Sequence, residues 1–310
     1  MSFDTQDIPD QSGKIIVITG ANGGIGFEAA RMLAGKNARV VLACRDEKRM
    51  ADAAARLVAE VPTAQIDQLV LDLSSLASVR AAAQKLAAMH PRIDVLINNA
   101  GVMAIPMRTT ADGFEMQVGT NHFGHFAFTG LVLPLLHGEG RVVTVSSIMH
   151  KFGKIDFDAF PVPAKYSPRN AYSMSKLANL LFMYELDRKL QAAGAQTRSV
   201  ACHPGYSATG LQAVGPTMSG SKLSGWMMNV GNNVFAQSAH MGALPTVYAA
   251  TAPDVNGGEY FGPKSWFETR GYPEKVSSNA ASRDVAVAKK LWEVSEQATG
   301  VPFAFSFTHA

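Results

Sequence analysis

Short apolar runs rich in β-branched residues alternate with longer amphipathic segments between residues 14 and 202. The short runs are typical of buried strands, and apolar residues spaced three and four apart are typical of helices. The predicted strands are residues 14–19, 39–44, 69–73, 94–98, 141–146 and 198–202, and the predicted helices are residues 26–35, 47–60, 75–89, 114–136 and 172–193. Such strict alternation predicts an α/β fold with parallel strands, right-handed crossovers and helices on both faces of the sheet.

Two segments interrupt this alternation. Residues 148–170 mix Phe, Pro and Lys, and residues 211–239 are rich in Gly, Ser, Met and Asn. Long irregular stretches inside a compact domain are often lids or binding loops, so we expect both segments to line a substrate site. The run Trp226-Met227-Met228 favours a substrate lid, because methionine suits a pliable apolar wall. Ordinary core packing and a membrane contact are the alternatives for this run.

The composition restricts the class of protein. The 310 residues are 47% apolar and 17% charged, with a net charge of +3. This composition argues against a disordered chain, and the charge is too small and too evenly spread for a nucleic-acid surface. No repeat or linker divides the sequence, so we expect a single domain over residues 1–310. Its C-terminal extension, residues 263–310, ends in an amphipathic helix at residues 282–298.

The cysteines and the N-terminus bear on the compartment. Cys44 and Cys202 lie in apolar, strand-like segments, which is typical of buried thiols in a reducing compartment. The polar, acidic residues 1–13 lack the basic start and apolar run of a secretion signal. No apolar stretch reaches the roughly 20 residues that span a bilayer. We therefore expect a soluble, cytoplasmic protein without an integral membrane segment.

A glycine-rich turn joins the first predicted strand to the first predicted helix. Its sequence is Thr19-Gly20-Ala21-Asn22-Gly23-Gly24-Ile25-Gly26, with the spacing Gly-x-x-x-Gly-x-Gly. Glycines at such a junction let the backbone approach a pyrophosphate, and the helix N-terminus supplies N–H donors. The turn predicts a dinucleotide site, although any tight strand-to-helix turn can use glycine.

Arg45 follows the second predicted strand, where an acidic residue would bind the 2′-hydroxyl of an adenosine ribose. Arginine is instead a bidentate partner for phosphate and can stack on adenine. The missing acid and the arginine favour a 2′-phosphate, and hence NADP, over a solvated loop arginine.

Tyr172 and Lys176 are four residues apart on a predicted helix, so they lie on one face, a turn apart. A phenol has a pKa near ~10, and a neighbouring positive charge lowers it by roughly 1–3 units. The pair is therefore a candidate general acid/base.

The same helix is apolar nearly all round at residues 177–184, so it must be covered on two sides. One side is the sheet. The other is either a partner subunit, which would give a homodimer, or the C-terminal tail.

The histidines do not suggest a metal. His122 and His125 are three residues apart, but no third ligand and no His-Glu-x-x-His pattern accompanies them. We expect them to be structural, and Cys202-His203 to be packing at a strand end.

The glycine spacing, Tyr172 and Lys176 together resemble the short-chain dehydrogenase/reductase superfamily, over about residues 13–210. Further matching motifs occur in the family's order: Asp72, Asn98-Asn99-Ala100-Gly101, Asn121, Val145-Ser146-Ser147 and Pro204-Gly205-Tyr206-Ser207-Ala208-Thr209. The resemblance implies a single doubly wound Rossmann-type domain that binds NADP.

Within the superfamily, the chain resembles the retinol-dehydrogenase-like branch. The motifs similar to that branch are Thr120-Asn121-His122-Phe123-Gly124-His125-Phe126, Ser175-Lys176-Leu177-Ala178-Asn179 and Ala43-Cys44-Arg45-Asp46. Ser147 and Tyr172 are 25 residues apart, which matches the longer insertion of this branch. Residues 1–13 do not resemble the membrane-anchoring N-terminal segment of many animal members, so we expect a protein without that anchor and leave retinoid chemistry open.

The resemblance also implies the site residues. The implied catalytic residues are Asn121, Ser147, Tyr172 and Lys176, and the implied cofactor-binding residues are Gly20, Asn22, Gly24, Ile25, Gly26, Arg45, Asp72, Leu73, Asn98, Ala100, Gly101, Tyr172, Lys176, Pro204, Gly205 and Thr209. Ser147 would polarise the substrate oxygen, and Tyr172 would exchange a proton with it. Lys176 would lower the pKa of Tyr172 and bond the nicotinamide ribose, while Asn121 would fix a water that relays protons to Lys176.

The resulting expectation is an NADP-dependent oxidoreductase that interconverts a carbonyl and an alcohol on a small apolar substrate. Reduction with NADPH is the favoured direction, because cytoplasmic NADPH is usually kept reduced. The alternatives are a retinoid or lipid dehydrogenase at a membrane surface, a carbon–carbon double-bond reductase on the same scaffold, and a non-catalytic NADP-binding protein. The last would predict loss of a catalytic residue, and all four are present.

Overall fold

The structure, a computed structural model, describes residues 2–206, 237–265 and 267–305. Its strands are β1 (Ile15–Thr19), β2 (Arg39–Cys44), β3 (Gln65–Val70), β4 (Ile93–Asn98), β5 (Leu136–Val145), β6 (Arg198–Cys202), β7 (Tyr260–Ser265) and β8 (Arg270–Lys275). Its α-helices are α1 (Gly24–Ala34), α2 (Glu47–Glu60), α3 (Leu76–Met89), α4 (Met116–Val118), α5 (His125–Val132), α6 (Pro168–Ala192), α7 (Ala239–Thr251) and α8 (Val285–Thr299). A π-helical turn, Gly119–Gly124, joins α4 to α5, and short 3₁₀ helices occur at Thr5–Asp7, Leu133–Leu135, Ile148–Phe152, Phe157–Ala159 and Ala280–Arg283.

One sheet organises the described residues, with the strand order β3-β2-β1-β4-β5-β6-β7-β8. Neighbouring strands from β3 to β7 pair in parallel, and β8 pairs antiparallel with β7. The predicted α/β fold, with a parallel sheet and helices on both faces, is confirmed.

The sheet edges differ from the sequence prediction. The strand predicted at residues 69–73 is Gln65–Val70, which is half polar because it pairs only with β2 at the edge. The strand Arg270–Lys275 was not predicted at all. Its residues are mostly exposed and include a proline, so it lacks the apolar run of a buried strand. The sheet therefore extends into the segment predicted as a C-terminal extension.

Alternate residues of the strands feed two cores, one on each face of the sheet. Ile16 and Ile18 pack with buried residues of α1, α2 and α7. Val17 points the other way and packs with buried residues of α3, α5, α6 and α8. Both faces of the sheet are covered, as a parallel sheet requires.

The outer side of α6 is covered by the end of the chain. Trp292 of α8 stacks on Phe182 with ring centroids 5.8 Å apart, and it packs edge-on against Phe126 at 5.1 Å. Phe303 completes the cluster, 4.5 Å from the Trp292 ring. The sequence left two possibilities for the outer side of this helix, a partner subunit and the C-terminal tail. The structure places the C-terminal tail there. Among the described residues, no helix is both long enough and apolar enough to cross a membrane.

Candidate active site

The residues singled out by sequence gather at the carboxyl edge of the sheet, where β1, β4, β5 and β6 end side by side. Ser147 follows β5 and caps the short helix Ile148–Phe152, with its Oγ accepting from the Met149 N–H at 3.2 Å. Helix α6 begins at Ser167, whose side chain caps it, with Pro168 in its first turn. This start places Tyr172 in the second turn of the helix.

The side chain of Tyr172 faces that of Ser147, and the interaction between them lowers the phenol pKa by less than burial raises it. The neighbouring Ser146 points elsewhere, towards the main chain of α6. Its Oγ donates to the main-chain oxygen of Lys176 at 2.8 Å. Tyr172 is only 6% exposed, and burial raises the pKa of its phenol to about 12.

Lys176 lies beside Tyr172, with Nζ 5.8 Å from the centre of the phenol ring. Nζ donates to the main-chain oxygen of Val145 at 3.0 Å. Burial lowers the pKa of the ammonium to about 8. Burial is the larger effect on the phenol pKa in this structure, and the role of Lys176 in lowering that pKa stays a prediction.

Asn121 sits in the π-helical turn, fully buried. Its side-chain oxygen accepts from the N–H of Val102 at 2.8 Å. Its amide donates to the Val102 carbonyl at 2.9 Å and to Ser175 Oγ at 3.0 Å. Both amide hydrogens are therefore used, so the side chain braces the loop after β4 against α6.

Gly101 allows this close packing. A Cβ on Gly101 would lie 3.1 Å from Asn121 Oδ1 and 3.7 Å from Lys176 Nζ. The absence of a side chain here thus keeps Asn121 and Lys176 next to the same point of the backbone.

The glycine turn has the geometry that a phosphate needs. Gly20 and Gly24 have φ angles of +68° and +55°. A Cβ on Gly26 would lie 2.5 Å from Asn99 Nδ2 and 2.6 Å from the Gly20 oxygen, so the turn can close only with glycine at that position.

Helix α1 begins without a side-chain cap at Gly23. In contrast, α2, α3, α6, α7 and α8 are each capped by an Asp or Ser side chain, namely Asp46, Ser75, Ser167, Ser238 and Asp284. The first N–H groups of α1 are thus left without a side-chain acceptor, in a turn with open space at Gly23. A pyrophosphate fits this helix N-terminus.

The remaining predicted cofactor-binding residues differ in exposure and in their contacts. Arg45 is exposed immediately after β2, and Asn22 and Ile25 lie in the glycine turn. Asp72 accepts from the N–H and hydroxyl of Ser74, at 2.9 and 2.6 Å. Leu73 is buried against Gly124.

Asn98 points away from this edge, donating to Thr129 of α5 at 2.9 Å. Its neighbour Asn99, which we did not assign, ties the loop after β4 to β1 by donating to the Thr19 carbonyl at 2.8 Å. The N–H groups of Asn99 and Ala100 both donate to Thr19 Oγ1, each at 2.9 Å. Adjacent asparagines in one motif cannot be told apart by sequence.

The β7–β8 hairpin supports the segment after β6. Gly205 has a φ angle of +64°, and a Cβ there would meet the Thr269 oxygen. The N–H of Tyr206 donates to the same oxygen at 2.7 Å. Gln237 donates to the Pro204 carbonyl at 2.7 Å. Thr209, Trp226-Met227-Met228 and residues 211–236 of the second predicted substrate loop lie outside the described residues.

His203 and Glu268 add a close side-chain contact to this support that could not be foreseen from the sequence. His203 Nε2 lies 3.3 Å from Glu268 Oε2, and Glu268 Oε1 accepts from Lys151 at 3.1 Å. The proximity of His203 is the largest of the effects that hold the pKa of Glu268 below its usual range. No sequence pattern relates these three residues, since the hairpin that brings them together was not predicted.

The first predicted substrate loop, residues 148–170, is anchored against the loop after β4. The hydroxyl of Tyr166 donates to the Ile105 carbonyl at 2.7 Å and accepts from the amide of Gln117 at 2.8 Å. The loop therefore forms one wall beside Ser147.

His122 and His125 each have a polar partner. His122 Nε2 lies 2.9 Å from Ser295 Oγ, and His125 Nε2 lies 2.8 Å from Thr19 Oγ1. Burial lowers their pKa values to about 3 and about 4. Among the residues that the structure covers, no three His, Cys, Asp or Glu side chains are grouped to hold a metal ion.

Comparison with known proteins gives the family. The sequence matches the family model described as short chain dehydrogenase over residues 14–218. It is 41% identical over 303 residues to retinol dehydrogenase 14 of Mus musculus, with 93% of this chain and 86% of that protein covered. It is 38% identical over 300 residues to retinol dehydrogenase 13 of Homo sapiens, with 93% and 85% covered.

A solved structure supports the same assignment. The crystal structure of an uncharacterized protein from Mycobacterium paratuberculosis matches with a TM-score of 0.82 and 40% sequence identity, covering 98% of this chain and 100% of that one. With the family match and the curated relatives, this confirms the resemblance found in the sequence: the chain belongs to the short-chain dehydrogenase/reductase family, in its retinol-dehydrogenase-like branch.

Proposed function

We propose that the protein interconverts a carbonyl and an alcohol on an apolar substrate, with NADP(H) as the redox cofactor and Tyr172 as the general acid/base. The observation that carries the proposal is the placement of the buried Tyr172 phenol next to Ser147 and Lys176, at the same sheet edge as the uncapped N-terminus of α1.

Each side chain has a role that its environment suits. When bound, the nicotinamide supplies or accepts the hydride. The hydroxyl of Ser147 donates to the substrate oxygen and polarises it. Tyr172 gives that oxygen its proton during reduction and removes it during oxidation. A raised phenol pKa keeps the proton on Tyr172 at neutral pH, which favours its role as the acid in reduction.

Lys176 supplies a proton path behind Tyr172. A pKa of about 8 makes the ammonium a donor that can be recharged near neutral pH. The amide of Asn121 is fully engaged, so any water at this point would bond its main-chain carbonyl rather than its side chain. This arrangement is compatible with the expected role of Asn121, which is to fix a water that relays protons to Lys176.

Arg45 supports NADP over NAD. It is exposed directly after β2, at the strand end where an acid would select the unphosphorylated ribose. A 2′-phosphate that pairs with the guanidinium gains a charge-assisted hydrogen bond. NADPH should raise the melting temperature of the wild type more than NADH does, and Arg45→Ala should remove that difference without lowering the melting temperature of the free protein. Equal shifts from both cofactors in the wild type would exclude this preference.

The curated relatives named retinol dehydrogenases make retinoids the first substrates to test. Oxidation of NADPH should be followed with retinal beside a panel of aliphatic aldehydes, ketones and steroids. The product must be identified, because an alcohol supports carbonyl reduction and a saturated carbonyl supports double-bond reduction. Turnover that persists in Tyr172→Phe would contradict the proposed chemistry for any of these substrates.

A further inference from the structure

A buried chain of hydrogen bonds joins the glycine turn to the helix that carries Asn121, and His125 is at its centre. His125 is 2% exposed. Its Nε2 lies 2.8 Å from Thr19 Oγ1, and its Nδ1 lies 3.1 Å from the main-chain oxygen of Asn121. The two ring nitrogens thus link the end of β1 to the π-helical turn.

The partners of His125 fix the tautomer of its ring. A carbonyl oxygen can only accept, so Nδ1 must carry the proton that it donates to Asn121. Burial, and the nearby Lys176 charge, lower the pKa of His125 to about 4, so the ring is neutral at pH 7. Nε2 is then an acceptor, and the hydroxyl of Thr19 donates to it.

The hydroxyl group of Thr19 has hydrogen-bond partners both as a donor and as an acceptor. Its hydrogen has two acceptors in reach, His125 Nε2 at 2.8 Å and the Ile97 carbonyl at 3.4 Å, and the shorter contact and the acceptor state of Nε2 direct it to His125. Its oxygen accepts the N–H groups of Asn99 and Ala100, each at 2.9 Å. Thr19 directly precedes Gly20, the first residue of the glycine turn. The orientation of the His125 imidazole therefore affects the glycine turn and, through the bonds of Thr19, the loop after β4.

Asn121 links the other end of this chain of hydrogen bonds to α6, the helix that contains Tyr172. Its side chain donates to Ser175 Oγ at 3.0 Å, and Ser175 Oγ donates to the main-chain oxygen of Tyr172 at 2.7 Å. Every link from Thr19 to Tyr172 is thus a hydrogen bond or a peptide unit in the protein interior.

We propose that His125 is a positioning residue that couples the cofactor-binding turn, through Thr19, to the catalytic helix, through the main-chain carbonyl of Asn121. Its catalytic half rests on the proposed function. His125 does not reach Tyr172 itself, so its effect on turnover passes through Asn121, and its effect on cofactor binding passes through Thr19.

Two amide substitutions separate these two effects. In His125→Asn, the amide nitrogen takes the place of Nδ1, so the bond to Asn121 is kept and the bond to Thr19 is lost. In His125→Gln, the amide oxygen takes the place of Nε2, so the bond to Thr19 is kept and the donor to Asn121 is lost. The variants are matched because each retains one polar contact in the same buried space.

The expected result is a crossed pattern. His125→Asn should raise the Kd for NADPH by about 3- to 10-fold, the range of one hydrogen bond, and by more than it lowers kcat. His125→Gln should lower kcat over the same range, and by more than it raises the Kd. Proportional losses of both quantities in both variants, or losses that only follow the melting temperature, would refute the proposal.

The tautomer offers a readout without turnover. A long-range ¹H–¹⁵N spectrum of the imidazole rings at pH 7 should show a neutral ring protonated at Nδ1, identified by its loss in His125→Gln. A ring protonated at Nε2, or at both nitrogens, would overturn the proposal. If the wild type turned over no carbonyl substrate while the tautomer and the Kd effect of His125→Asn held, the proposed function would fail and the Thr19 half of the coupling would stand.

Discussion

Replacing Tyr172 by Phe tests the chemistry most directly. The substitution removes one hydroxyl, whose partner is Ser147, and leaves the ring in its buried place. The phenol holds its proton at neutral pH because burial raises its pKa to about 12, so it is the acid beside Ser147. A positioned general acid contributes about 10²- to 10⁴-fold to a rate, and kcat for carbonyl reduction should fall by that factor.

The cost in stability is small by comparison. The loss of one hydrogen bond in a folded protein contributes about 0.5–1.5 kcal/mol, and Ser147 keeps the N–H of Met149 as a partner. The melting temperature and the Kd for NADPH of Tyr172→Phe should therefore stay close to those of the wild type. These two measurements show that the variant is folded and loaded when its turnover is measured.

The two adjacent serines supply a matched control. Ser147→Ala removes the hydroxyl that Tyr172 contacts, whereas Ser146→Ala removes one that donates to the Lys176 carbonyl. NADPH oxidation should fall by about 10²-fold or more in the first variant and by much less in the second. Turnover by Tyr172→Phe within tenfold of the wild type, or equal losses in the two serine variants, would refute the assignment of the proton donor.

Three further outcomes follow from burial and packing. Between pH 8 and pH 10, the free energy of unfolding of the wild type should increase relative to that of Lys176→Met, because the folded ammonium loses its proton at about 8 whereas the unfolded one keeps it to 10.5. Urea titrations of both proteins at the two pH values measure this difference. Gly26→Ala should destabilise by about 1–3 kcal/mol, since its Cβ would lie 2.5 Å from a neighbouring amide, whereas Gly23→Ala meets nothing within 4 Å and should be nearly neutral. Trp292→Ala should lower the free energy of unfolding by about 3–5 kcal/mol in a denaturant titration. Val285→Ala on the same helix should lower it little, because the Val285 side chain is exposed. Similar losses of stability in the two variants would mean that the aromatic cluster does not hold α8 in place.

The interior of the sheet could be predicted from sequence and its edges could not. β1 and β4 have apolar partners on both faces, so their sequences are rich in Val, Ile and Leu, and the second half of β5 and most of β6 are also apolar. β3 and β8 pair on one side only, so selection for apolar residues is weaker there. The hairpin that contains β8 depends on contacts with residues after β6, which no local pattern reveals.

The candidate active site could also be predicted from sequence only in part. Tyr172 and Lys176 could be paired from their spacing, because one helix fixes their relation. The choice between Asn98 and Asn99, or the contact of His203 with Glu268, depends on how separate elements approach one another. Desolvation of Tyr172 also follows from the assembled fold, which is why its pKa direction could not be predicted from the neighbouring lysine.

The covering of α6 by the end of the chain has a consequence for biosynthesis. Phe182 meets Trp292 and Phe303, which are encoded more than 100 residues later. Until the ribosome has released the residues of α8 and Phe303, the apolar side of α6 is complete but uncovered. A nascent chain stalled at that stage exposes a surface suited to chaperone binding or to aggregation, and release of the final helix ends that exposure.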